Sequence, residues 1–135
     1  MAQSFNTDWR KAAFRHQEAA ETLNVGRRRD VAGYLYGLAA ECAIKKLMLA
    51  SGMRPSASRN GDDPFYAHFS RLKTILRDDT HARRHNNLRK FTESDQFMEH
   101  WDVKMRYSDG KDIQHTWVDR WRRNAKEVLA EICSL

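Results

Sequence analysis

Four residues of this chain have the types and setting to act on an anion. Glu41 stands in the middle of an apolar stretch, and Lys45 follows one helical turn later. Arg106 lies next to Tyr107 in a mixed apolar and charged segment, and His115 follows Arg106 by nine positions. A carboxylate set into an apolar helix needs a partner, because an unpaired buried charge is costly. Arg106 is the obvious kind of partner. One reading makes this a structural Arg–carboxylate pair that fixes how two helices pack. The other makes Glu41, Lys45, Arg106 and Tyr107 an anion-binding site, with Arg106 as the phosphate ligand and His115 as an acid–base group.

A second feature is the basic stretch over residues 71–90. Its Arg71, Lys73, Arg77, Arg83, Arg84, Arg89 and Lys90 face only Asp78 and Asp79. Arginine suits planar, two-pronged phosphate contacts. Arg77, Arg83, Arg84 and Arg89 therefore read as a phosphate-contacting surface, with a plain solvated helix face as the alternative. His81 and His85 are four apart and can share a helix face. Arg83 and Arg84 between them repel a cation, and no further ligands are spaced for one, so no metal site is expected. His16 sits on an apolar stripe and reads as a core histidine. No phosphate-cradling G-x-x-x-x-G-K-[ST] or G-x-G-x-x-G loop is present, and no G-x-S-x-G elbow, so nothing supports hydrolases of those kinds. No cofactor is expected.

The elements that must position these groups are helical. The segment 30–50 is apolar nearly all round, so it must be buried on most sides. Asp30 is its expected cap, and Ser51 and Gly52 end it. Gly33 and Gly37 lie one turn apart on the line of Glu41, where a close approach by another helix is expected. Ahead of it, a first helix with Asn6 or Thr7 as cap carries Trp9, Ala12, Ala13, His16, Ala20 and Leu23 on one face. Residues 53–64 hold both prolines and read as an exposed connection. A short helix with Leu72, Ile75 and Leu76 follows and breaks at residues 78–80. Next comes a longer amphipathic segment with Leu88, Phe91, Met98, Trp101 and Met105. After a turn over 108–112, with Asp112 or a neighbour as cap, the last helix shows the cleanest stripe: Trp117, Val118, Trp121, Ala125, Val128, Leu129 and Ile132.

With 135 residues, one domain is expected. Six glycines and two prolines favour long helices over strands and turns. Lys and Arg outnumber Asp and Glu by 24 to 18, a formal charge of +6, which points toward a polyanionic partner. Cys42 and Cys133 belong to no C-x-x-C pair and read as reduced thiols of a cytoplasmic protein. Residues 5–15 do not resemble a signal peptide. No apolar run reaches the length of a membrane span.

Two pieces of the chain resemble the HEPN superfamily. One is Tyr34-Leu35-Tyr36-Gly37-Leu38-Ala39-Ala40-Glu41-Cys42-Ala43-Ile44-Lys45, similar to the family's small-apolar helix with its acid and following Lys. The other is Arg106-Tyr107-Ser108-Asp109, similar to the junction before the family's last helix. The resemblance implies an all-α antiparallel bundle of four to five helices, commonly a homodimer. Active members are metal-independent endoribonucleases with a closely spaced Arg and His, and this chain lacks that spacing. The resemblance therefore implies a nucleotide- or RNA-binding module in a prokaryotic defence or toxin–antitoxin-type system, paired with a protein such as a nucleotidyltransferase. An endoribonuclease using Arg106 and His115 is the alternative, and a ligand-free dimeric scaffold is another.

Overall fold

The computed structural model describes residues 5–56 and 63–135. Six α-helices follow in order: α1 (Trp9–Asn24), α2 (Arg29–Ala50), α3 (Arg71–Asp78), α4 (Thr80–Arg83), α5 (Asn86–Thr92) and α6 (His115–Cys133). Single 3₁₀ turns occupy Pro64–Tyr66 and Val103–Tyr107. No strand occurs among the described residues. No helix among them is long and apolar enough to cross a membrane.

α2 is the centre. Ala32, Tyr36, Ala39, Ala40, Ala43, Ile44, Leu47 and Met48 on it are fully enclosed. α1 covers one side and α6 another. Arg122 of α6 bonds Glu21 of α1 at 3.0 Å, and Arg10 donates to the Ile132 carbonyl at 3.0 Å, so the outer helices are also tied to each other. The first helix is capped by Asp8, whose carboxylate accepts the Lys11 N–H at 2.9 Å; the expected Asn6 and Thr7 lie before it. The cap position of α2 is Arg28, two residues before the expected Asp30, so Asp30 falls in the first turn and bonds Arg28 at 2.7 Å. The last helix is preceded by Gln114 in the cap position, not Asp112.

Both glycines of α2 are sites of close approach. The indole of Trp121, from α6, lies over Gly33, where a Cβ would come within 2.9 Å of the ring. At Gly37 the intruder is Trp101, and a Cβ there would sit 1.9 Å from its Nε1. That nitrogen donates to the Gly33 carbonyl at 3.2 Å. The second approach therefore comes from an irregular segment, where a helix was expected.

The amphipathic segment over Leu88 to Met105 is not one helix. It stops at Thr92, and Met98 and His100 turn the chain with φ of 55° and 71°. Non-helical backbone inside a core must find other hydrogen-bond partners. Side chains supply them. The Lys73 ammonium donates to the Ser94 and Phe97 carbonyls at 2.7 and 2.8 Å. Asn124 accepts the Met98 N–H at 2.9 Å, and Trp121 donates to the Glu99 carbonyl at 2.8 Å. Dropping Trp101 onto Gly37 requires this detour. Of the expected connection over 53–64, its ends are described and residues 57–62 lie outside the described residues.

Gly37→Ala should lower stability by about 3 kcal/mol or more, because the clash is with a caged indole and overpacking of a full core is costly. Gly26→Ala, where a Cβ meets nothing closer than 3.6 Å, should stay within about 0.5 kcal/mol of wild type. Urea unfolding of the two variants checks this.

Candidate functional site

Glu41 is 2% exposed and its carboxylate is fully engaged. Oε1 lies 2.9 Å from Nδ1 of His68, and Oε2 accepts the Phe69 N–H at 2.8 Å. The expected pairing with Arg106 is therefore corrected. Arg106 lines a cleft with Tyr34 instead, seven residues before Glu41, a rise of about 10 Å along α2. Aromatic rings fill the space between: Tyr34 stacks on Trp101 at 5.7 Å, and Phe69 meets Trp101 edge-on at 6.0 Å. Lys45 is also buried, with its ammonium 5.2 Å from the centre of the Trp9 ring. Burial pushes its pKa down, and the charge of Glu41 opposes that shift. Burial likewise raises the Cys42 thiol to about 11, so it is no nucleophile at neutral pH. Glu41 and Lys45 thus belong to the core.

His68 is the residue that sequence reasoning missed. Its side chain is 41% exposed, so it forms a lid over the buried carboxylate. The carboxylate of Glu41 accepts from Nδ1, which leaves Nε2 as the ring nitrogen without a partner in that pair. No short-range spacing reveals it, because 27 residues separate the two partners.

Arg106 and Tyr107 do share a place. Arg106 is fully exposed and lies 4.9 Å from the centre of the Tyr107 ring. The neighbouring Tyr34 hydroxyl raises an already high pKa. Together with Arg28, Asp30 and Met105 it lines a cleft of about 240 Å³ at the start of α2. His115 does not line that cleft; it is the exposed first residue of α6. The four residues expected to form one site therefore fall into separate places: core, cleft and helix end.

The basic stretch is where expected residues converge. Thr80, Arg83, Arg84 and Arg89 line one open hollow of about 250 Å³. Its floor is rigid for identifiable reasons. Asp79 caps α4 through the Ala82 N–H at 2.8 Å, and Ala82 is buried. His81 Nε2 meets the Ser51 carbonyl at 2.6 Å, anchoring α4 to the end of α2, and the His85 ring lies 5.2 Å from it. The two histidines thus serve packing. No group that could hold a metal occurs among the described residues. Arg83 and Arg84 are exposed and form no ion pair among the described residues. Arg89 bonds Glu93 at 3.2 Å, with both side chains near half exposure, a pairing worth little in water.

Arg77 is corrected out of this surface. Its guanidinium bonds the Thr92 carbonyl and, at 2.8 Å, Asp95. It sits in the last turn of α3, opposite the carbonyl end of α5, and it clamps the two helices together. No family model, curated protein or solved structure matches this chain.

Glu41→Ala should cost about 2–3 kcal/mol, because the buried Phe69 N–H loses its acceptor. Arg106→Ala should leave the unfolding midpoint where it is. Equal midpoints for the two variants in chemical denaturation would contradict the assignment of Glu41 to the core.

Proposed function

We propose that this chain is an RNA-binding helical module whose phosphate-contacting surface is the hollow of Thr80, Arg83, Arg84 and Arg89. The observation that carries this reading is the convergence of three arginines around one hydroxyl, two of them without an acidic partner among the described residues. Guanidinium forks and a hydroxyl are the groups that bond phosphate oxygens. Like charges that line one hollow repel one another, and a bound phosphate relieves that repulsion. The hollow is open and has no walls to enclose a free nucleotide, which favours the backbone of a chain. The overall charge of +6 acts in the same direction by drawing a polyanion toward the surface.

The resemblance to HEPN proteins extends the proposal to a component of a prokaryotic defence or toxin–antitoxin-type system. A second protein, such as a nucleotidyltransferase, would be its partner there. The endoribonuclease alternative draws no support from Arg106 and His115, which do not line a common cleft.

Fluorescence anisotropy with a labelled 12-nucleotide RNA at low salt tests the proposal. The double variant Arg83→Glu, Arg84→Glu should bind at least tenfold more weakly than wild type, with an unchanged circular dichroism spectrum. Arg106→Ala should bind like wild type. Undiminished binding by the double variant would overturn the assignment of the hollow.

A further inference from the structure

A groove of about 590 Å³ lies between α5, the turn over residues 94–97 and α6. That volume lies in the range of sites that enclose small organic molecules. Its apolar floor is Phe91 and Phe97, whose rings pack 5.2 Å apart. Its rim is cationic, with Lys90, Arg120 and Arg123. Lys90 pairs with Glu131 at 2.6 Å and Arg120 with Glu99 at 3.2 Å. Both pairs are partly exposed to solvent, where such pairings are worth little against a competing anion. Arg123 is exposed with no ion pair among the described residues.

The walls are preorganised for hydrogen bonding. Lys73 holds the carbonyls of Ser94 and Phe97 from the core side, which fixes the turn. Asn124 has its oxygen committed to the Met98 N–H, so its amide nitrogen is the group left to donate. Glu127 supplies an acceptor on the same wall. A donor, an acceptor, an apolar floor and a cationic rim match a heterocyclic base carrying a phosphate. A shallower anion site would need neither floor nor acceptor.

The groove and the arginine hollow lie on two sides of one seven-residue helix. Arg89 of α5 lines the hollow and Lys90, its neighbour, lines the groove. We infer that the groove seats one unstacked nucleotide of an RNA strand whose adjoining phosphates lie in the hollow, so that the module selects single-stranded over double-stranded RNA. Bases in a duplex are stacked and paired and cannot enter such a groove, whereas single strands can splay a base out. This inference rests on the RNA-binding reading of the hollow.

The test compares the affinity of a 12-nucleotide single strand with that of a 12-base-pair RNA duplex, at equal salt. It uses wild type, Arg123→Glu, the groove-filling Ala130→Trp and the Arg83→Glu, Arg84→Glu double variant. Circular dichroism confirms that each is folded. Wild type should prefer the single strand at least tenfold. Each groove variant should bring single-strand affinity down toward the duplex value. Equal wild-type affinities for the two RNAs, or groove variants that keep the preference, would overturn the inference. If the double variant still weakens binding in that case, the hollow reading stands without the groove. If wild type binds neither RNA, both fall.

Discussion

Burial of α2 on nearly every side is the constraint from which the rest of the fold follows. A helix with so many apolar faces needs covers from several directions, and the two other long helices, α1 and α6, cannot alone close over it. Two tryptophans complete the enclosure by sitting on glycines, Trp121 over Gly33 and Trp101 over Gly37. The first comes from a regular helix. The second requires the chain to leave helical geometry between α5 and the Val103–Tyr107 turn, and that detour forms one wall of the groove beside α6.

Polar groups in this core hold irregular backbone in place. Glu41 accepts the Phe69 N–H and Lys73 bonds two carbonyls of the detour. Burial, with Arg77 nearby, pushes the Lys73 pKa down, yet its two carbonyl partners still favour a proton-bearing nitrogen. Buried charges of this sort are costly unless fully bonded. Their value here lies in fixing segments that have no repeating ladder of their own. The same logic separates two classes of arginine. Arg77 and Arg122 bridge elements of the fold, whereas Arg83, Arg84 and Arg123 carry no acidic partner among the described residues.

Much of the fold was legible because helical periodicity is local. The stripes of α1 and α6, the stop at Ser51 and Gly52, the break at residues 78–80 and the close approach at Gly33 and Gly37 all follow from neighbours within a few turns. The partner of Glu41 was not legible. His68 lies 27 residues away and reaches it only after the intervening segment folds back. The interruption after Thr92 was hidden for a related reason. Leu88, Phe91, Met98, Trp101 and Met105 keep an apolar rhythm, but Trp101 is directed by Gly37, a tertiary contact that overrides local preference. Of the four arginines read as one basic surface, Arg83, Arg84 and Arg89 line a common hollow. Arg77 differed because the carbonyl end of α5 happens to face it, which no spacing within α3 encodes.

Chemistry on this molecule is therefore distributed: a closed acid under His68, a small cleft around Arg106, and a basic face built on α4 and α5. The central claim is that RNA meets the last of these. A map of backbone amide NMR shifts during titration with a 12-nucleotide RNA tests it most directly. The account predicts perturbations confined to residues 80–97 and 120–130, with residues 28–34 and 105–113 silent. Perturbations centred on the cleft of Tyr34 and Arg106, with the arginine hollow unmoved, would contradict it.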